Sequence, residues 1–162
     1  MFGSLGHRVV GARVVDLCAG TGAMAIEALS RGAALATLVE HDRRACAAIG
    51  ANLGSCGLSD RARVVRGDAL RWLDAQPHDT AVCDLLIADP PYASPLLAGI
   101  AERLSGKPRL VSPGGVVLFE AGEEDMPRPD VNLFACARVR RYGGTFVAVF
   151  ERALRASVAG SP

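Results

Sequence analysis

Five short runs rich in apolar and β-branched residues alternate with stretches that fit helices, and this alternation restricts the fold more than any other feature of the chain. The runs are Ala12 to Leu17, Ala36 to Glu40, Arg63 to Arg66, Cys83 to Ala88 and Gly115 to Glu120. Between them lie helix-compatible stretches from Ala23 to Arg31, after Asp42, from Ala69 to Leu73 and from Leu96 to Leu104. Gly32 suits the close of the first helix, because glycine takes the left-handed conformation there without steric cost. Asp42 suits the start of the second, after which Cys46, Ile49 and Leu53 fall on one helical face. Cys83 to Ala88 reads as a strand buried on both sides. Strands separated by helices imply a parallel sheet with right-handed crossovers. The end of the chain changes character. Leu133 to Arg141 and Thr145 to Glu151 are extended runs joined by Tyr142-Gly143-Gly144, where the glycines suit a tight hairpin. The expectation is an α/β fold with a mostly parallel central sheet, helices on both faces and an antiparallel C-terminal hairpin. One domain over residues 1–152 and a flexible tail over 153–162 complete the organisation.

Composition narrows the setting. Half of the 162 residues are hydrophobic and 22% are charged, which supplies one layered core. No apolar run approaches the roughly 20 residues that span a bilayer. The start, Met1-Phe2-Gly3-Ser4-Leu5-Gly6-His7-Arg8, lacks the apolar segment of a signal peptide. A soluble, cytoplasmic monomer is expected. Cys18, Cys46, Cys56, Cys83 and Cys136 are odd in number and widely spaced, which argues against a disulfide framework and against a zinc site. No bound metal is expected. His7, His41 and His78 form no catalytic set with a cysteine or serine. The net charge of +1 neither demands a nucleic-acid partner nor excludes one, and Lys107 is the only lysine.

The ends of the strand runs carry the chemistry, since ligands of open α/β sheets bind beyond the carboxyl ends of the strands. Asp16-Leu17-Cys18-Ala19-Gly20-Thr21-Gly22 follows the first run directly. Its glycines let the backbone approach a ligand and lead into a helix N-terminus. The spacing departs from the dinucleotide pattern G-x-G-x-x-G, with Cys at 18 and Ala at 25. Asp16 suits the positive end of an amino-acid-bearing ligand, so this turn points to S-adenosylmethionine rather than NAD. Glu40 ends the second run and can accept both ribose hydroxyl hydrogens. Asp68, in Gly67-Asp68-Ala69 after the third run, can accept from an adenine amino group. An acid at each of three successive strand ends forms the cofactor constellation.

Asp89-Pro90-Pro91-Tyr92 follows the fourth run. The two prolines fix an extended turn and withhold two N–H donors. The Asp89 carboxylate and the Pro90 carbonyl remain as acceptors. A planar amino group on a base offers two hydrogens to such a pair, which aims its lone pair at the methyl group. Tyr92 would stack on that base, which must be unstacked to reach it.

Together these stretches resemble a known family, the bacterial 16S ribosomal RNA (guanine-N2)-methyltransferases. The likeness is carried by Val15-Asp16-Leu17-Cys18-Ala19-Gly20-Thr21-Gly22-Ala23, Glu27-Ala28-Leu29-Ser30-Arg31-Gly32-Ala33 and Thr37-Leu38-Val39-Glu40, and by Asp89-Pro90-Pro91-Tyr92. Arg141-Tyr142-Gly143-Gly144-Thr145 resembles the closing hairpin of that family, which more often has Asp at position 144. The likeness runs from Phe2 to about Glu151. It implies a Rossmann-like methyltransferase fold, S-adenosylmethionine as cofactor and ribosomal RNA or the small ribosomal subunit as partner, with rim arginines such as Arg141 on phosphate. DNA adenine-N6 and protein-glutamine methyltransferases share the Asp89 motif in part. The glutamine enzymes usually carry Asn in its place, and DNA enzymes carry a further recognition segment. Family members also begin with a basic R-P-T-x-D-x-x-R-E stretch before a Leu-Phe pair, and this sequence starts near that pair at Met1-Phe2. A start lying further upstream and a truncated, non-catalytic SAM- or RNA-binding paralogue are both open.

Overall fold

The sequence was placed in three dimensions by a computed structural model, which describes residues 5–122, 124–126 and 134–154. Leu133 and the tail beyond residue 154 lie outside the described residues. The α/β expectation holds. In chain order the elements are β1 (Arg13–Leu17), α1 (Ala23–Ser30), β2 (Leu35–Glu40), α2 (Arg43–Ser55), β3 (Ala62–Arg66), α3 (Ala69–Asp74), β4 (Cys83–Ala88), α4 (Leu96–Gly106), β5 (Val111–Ala121), β6 (Phe134–Tyr142) and β7 (Thr145–Arg152). They build one seven-stranded sheet in the order β3-β2-β1-β4-β5-β7-β6. Strands β1 to β5 pair in parallel, and β7 pairs antiparallel with both β5 and β6.

Each helix packs because its apolar residues recur on one face. Ala25, Ala28 and Leu29 of α1 and Ile49 and Leu53 of α2 bury against one side of the sheet, with Val14, Leu38, Leu85 and Leu118. Leu73 of α3 and Leu97, Ile100 and Leu104 of α4 bury against the other, with Leu17, Leu86, Val117 and Phe119. Each large apolar side chain buried this way contributes roughly 1.5–3 kcal/mol. Alternate residues of one strand therefore serve different layers, which fixes the register. Asp42 caps α2 as the sequence predicts, its Oδ1 accepting from Arg44 N–H and Ala45 N–H, both at 2.8 Å.

One boundary differs from the sequence reading. β5 begins at Val111 rather than at Gly115, because Pro113-Gly114-Gly115 interrupts the apolar pattern without ending the strand. The ladder with β4 shifts register there, between Cys83 and Leu85. A Cβ on Gly115 would lie 2.8 Å from the carbonyl oxygens of both Asp84 and Ser112, so the close approach requires glycine.

The amino ends of β1, β4 and β5 are clamped by charge. Asp84 Oδ2 accepts from Arg13 N–H at 2.8 Å and from Arg13 Nε at 3.1 Å. Ser112 Oγ donates to Asp84 Oδ1 at 2.6 Å. The Arg13 guanidinium, helped by Ser112, holds the Asp84 carboxyl down at about 2. The only lysine has a structural post as well. Lys107 is buried, and its Nζ donates to the carbonyls of Leu73 at 3.0 Å, Asp74 at 2.7 Å and Gln76 at 2.9 Å. It thus satisfies orphan carbonyls at the C-terminus of α3 with a cation, where the helix dipole favours one. Lys107→Met keeps the apolar stem and removes the donors. It is expected to lower unfolding stability in urea by about 1.5–3 kcal/mol, the range for hydrogen bonds to a charged group. An unchanged urea midpoint would show that water serves those carbonyls equally well.

Candidate active site

The chain builds β1, β2 and β3 outward in one direction and then returns to lay β4 on the other side of β1. At that reversal the connections leave toward opposite faces, and a crevice opens beyond the carboxyl ends of the strands. A cleft of about 630 Å³ occupies this place, and Cys18, Gly20, Glu40, Asp68, Asp89, Pro90, Pro91 and Tyr92 all line it. Ala69 borders a smaller adjoining cavity with Cys18 and Asp68. Asp16, Ala19, Thr21 and Gly22 are not among the lining residues of either, and the contacts of Asp16, Ala19 and Gly22 brace the turn that carries Cys18 and Gly20.

The glycine turn shows how. Gly22 adopts φ +80° at the N-cap of α1, and a Cβ there would lie 3.0 Å from Leu38 Cδ2. Glycine can take this position, yet it offers no side chain to cap the helix. Asp16, two residues before the cleft begins, fills that need from below. It is 2% exposed, and its Oδ2 accepts from Ala25 N–H at 3.2 Å. Ala19 N–H donates to the Val39 carbonyl at 3.1 Å and so binds the turn to β2. Cys18 takes φ +64°, an uncommon conformation for a residue with a Cβ, held by these contacts.

Glu40 joins the pieces. It is 5% exposed, and Oε2 accepts from Gly20 N–H at 2.9 Å while Oε1 accepts from Asp42 N–H at 2.8 Å. His41 Nδ1 also lies 3.0 Å from Oε1. The Glu40 backbone carbonyl accepts from Gly67 N–H at 2.9 Å, which ties the end of β3 to that of β2. Asp68 then caps α3, its Oδ1 accepting from Arg71 N–H at 2.9 Å. Each of these carboxylates keeps lone pairs beyond its structural bonds.

On the other side of β1 the Asp89 motif leaves β4. Its carboxylate stands at an exposed position and accepts no hydrogen bond from the described residues. Tyr92 is 60% exposed, with its hydroxyl 2.6 Å from Thr145 Oγ1 at the start of β7. The next residue, Ala93, sits at φ +56° with its N–H donating to Asp125 Oδ2 at 2.8 Å. The motif is thus anchored at two points and its acid is left unengaged.

Comparison with known proteins meets the same residues. The family model described as "Conserved hypothetical protein 95" matches residues 1–151. The chain belongs to this family. It is 31% identical to YlbH of Bacillus subtilis, a candidate rRNA methyltransferase, over 94% of this chain and 82% of that one. It is 31% identical to ribosomal RNA small subunit methyltransferase D of Escherichia coli over 82% of this chain, and it spans 65% of that protein's length. Among solved structures, the E. coli methyltransferase candidate yhhF superposes with a TM-score of 0.82 at 30% identity, covering 95% of this chain and 82% of the other.

Electrostatics distinguish the carboxylates of this Conserved hypothetical protein 95 member. Burial pushes the Asp16 carboxyl up to about 7, against the Ala25 hydrogen bond and with help from Asp89 and Glu40. Burial also raises Asp89 and Glu120, the latter with a contribution from Asp89. Burial and the surrounding carboxylates push the Cys18 thiol to about 12, which keeps it protonated and removes it as a nucleophile. The described residues hold no cluster of three His, Cys, Asp or Glu placed to bind a metal.

Four lining residues escaped the sequence reading: His41, Ser94, Leu96 and Glu120. His41 and Ser94 carry a positional signal, since each lies within two residues of a motif. Glu120 ends the fifth apolar run, as Glu40 ends the second, and that parallel could have found it.

The raised Asp16 has a thermodynamic consequence. Its folded value lies above the ordinary carboxyl value of 3.8, so its contribution is complete below that pH and is lost as pH rises through about 7. Asp16→Asn retains an acceptor for Ala25 N–H and cannot ionise. The ligand-free variant is therefore expected to gain stability relative to wild type as pH is raised from about 5 to about 8. Denaturant midpoints that stay parallel across that range would contradict a desolvated Asp16.

Proposed function

We propose that this chain transfers a methyl group from S-adenosylmethionine to the exocyclic N2 of a guanine in small-subunit ribosomal RNA. The enzyme class follows from the family: its members named above are methyltransferases or candidates for that activity. The substrate is the proposal. The observation that carries it is the Asp89 carboxylate, unengaged by the described residues and on the same cleft as Glu40, Gly20 and Asp68.

The cleft fits the cofactor by donor set. Glu40 keeps acceptor capacity for ribose hydroxyls, and Asp68 keeps Oδ2 for an adenine amino group. The turn from Asp16 to Gly22 leaves backbone free of Cβ atoms at Gly20, where nothing lies within 4 Å of the missing Cβ. When bound, the cofactor supplies a methyl group made electrophilic by its sulfonium. The protein's own work is positioning. Asp89 and the Pro90 carbonyl accept the two amino hydrogens, Pro91 fixes the turn that presents them, and Tyr92 offers a ring face for the base. The tie from Tyr92 to Thr145 keeps that ring from rotating away.

RNA contact is supported by the edge strand. Arg138 and Arg140 of β6 are exposed, lie two apart on one face and have no ion pair among the described residues. Arg141 stands differently: its guanidinium covers the Phe146 ring at 5.6 Å and donates to the Gly143 carbonyl at 2.8 Å. Arg138 and Arg140 therefore suit phosphate better than Arg141. An rRNA substrate places this work in the cytoplasm, and no helix among the described residues is long and apolar enough to cross a membrane.

Two substitutions separate the two halves of the site. Glu40→Ala is expected to weaken cofactor binding by about 1–3 kcal/mol in calorimetry, the loss of charge-assisted hydrogen bonds. Full affinity in a folded variant would remove Glu40 from the cofactor site. Asp89→Ala should instead leave cofactor affinity nearly unchanged and reduce single-turnover transfer by about 100-fold or more, as for other preorganised polar groups. Near-wild-type transfer would sink the mechanism. The substrate itself is tested with labelled cofactor and unmethylated ribosomal RNA, free or in subunits, beside duplex DNA and a glutamine-bearing protein. Label is expected in N2-methylguanosine, whereas label in adenine N6 or in protein would overturn the substrate.

A further inference from the structure

Glu120 belongs to two cavities at once. It lines the main cleft, and it also lines a neighbouring cavity of about 180 Å³ together with Tyr142, Thr145 and Val147. It is held there by the sheet, paired with Val147 across the β5–β7 ladder. Its carboxylate is partly buried and accepts no hydrogen bond from any described residue. A carboxylate that no described residue engages keeps its acceptor lone pairs for a ligand donor. Burial and the charge of Asp89 both raise its pKa, which places the two carboxylates within electrostatic reach of one another. One tyrosine lines each of the two cavities that Glu120 joins, Tyr92 the cleft at 60% exposure and Tyr142 its neighbour at 48%. Asp89 and Glu120 thus line the cleft without a hydrogen bond from the described residues, beside the Tyr92 ring on which a base can stack.

We infer that Glu120 reads the Watson–Crick edge of the target base and selects guanine against adenine. This rests on the guanine reading above and adds the residue that decides the base. In guanine the N2 amino group stands next to N1–H, so the edge offers donors to two acceptors side by side. With Asp89 on the amino group, Glu120 accepts from N1–H. In adenine the atom beside the amino group is N1 with a lone pair and no hydrogen. In cytosine it is N3, equally without one. A desolvated carboxylate facing such an acceptor is left unpaired and repelled, so discrimination comes from a mismatch that the wrong base cannot repair.

The test measures base selection without requiring turnover. The protein saturated with S-adenosylhomocysteine is titrated with guanosine, adenosine and 1-methylguanosine monophosphates, followed by NMR shifts. Wild type is expected to bind the guanine nucleotide about tenfold or more tightly than the other two, because a site built to accept a hydrogen rejects analogues that lack it. In Glu120→Ala that preference should shrink to about threefold or less, with homocysteine-cofactor affinity unchanged as proof of folding. Glu120→Gln, which keeps an oxygen and loses the charge, should fall between. Equal binding of the three nucleotides by wild type, or a preference that survives in Glu120→Ala, overturns the inference. The labelled-cofactor assay keeps this apart from the wider reading. Guanine labelling with a preference indifferent to Glu120 removes only the role of this residue, whereas adenine labelling by wild type removes both.

Discussion

The buried carboxylate of Glu40 is the joint on which the site depends. It is attached to β2, yet its two oxygens hold the glycine turn after β1 and the start of the segment leading into α2. Its own carbonyl holds Gly67 at the exit of β3. A charge 5% exposed is costly unless hydrogen bonds surround it, and here the backbone N–H groups of two loops supply them. The loops in turn gain a fixed point. This reciprocal arrangement keeps three strand ends in register without regular secondary structure, which a ligand site of irregular loops needs.

The two ends of the sheet treat carboxylates in opposite ways. At the amino end Asp84 is met by the Arg13 guanidinium and Ser112, and its carboxyl falls to about 2. At the carboxyl end Asp16, Asp89 and Glu120 are all raised, with burial as the first cause in each case. Among the described residues, no arginine or lysine lines the cleft. The clamp lends stability; the opposite edge keeps anionic acceptors underused. Asp89 and Glu120 share the cleft, and perturbed carboxylates gathered in a cleft are characteristic of working sites.

Much of this was legible in the sequence because it is local. The strand–helix alternation specifies the parallel layers, and Gly-rich and Pro-rich turns mark where strands β1 and β4 end. Glu40, Asp68 and Asp89, which line the cleft, stand at strand ends that the sequence pattern marks. What stayed hidden depends on contacts between distant segments. The hydrogen bond that turns Asp16 inward joins two elements whose distance follows from helix packing. Lys107 gave no sign of serving α3, 33 residues away from Asp74. The start of β5 was missed because Gly115 answers a carbonyl of β4, a steric fact with no sequence pattern. Glu120 faces the cleft only because β5 lies next to β4 in the sheet, an adjacency that is a property of topology rather than of motif.

The same charge distribution constrains how a nucleic acid could approach. A cleft bordered by Glu40, Asp68, Asp89 and Glu120 repels a phosphate group and favours donors such as base amino and imino hydrogens. A polynucleotide must therefore keep its backbone outside and send a single base inward. The geometry provides for that separation. Arg138 and Arg140 lie on β6, and Tyr142, at its end, borders the cavity that Glu120 shares with the cleft. Alternation along β6 puts both arginines and Tyr142 on one face of the strand. Cationic side chains for phosphate thus lead along an edge to an aromatic ring, and from there to paired acceptors. In the proposed reading, the same carboxylates that repel a phosphate backbone accept from the base edge.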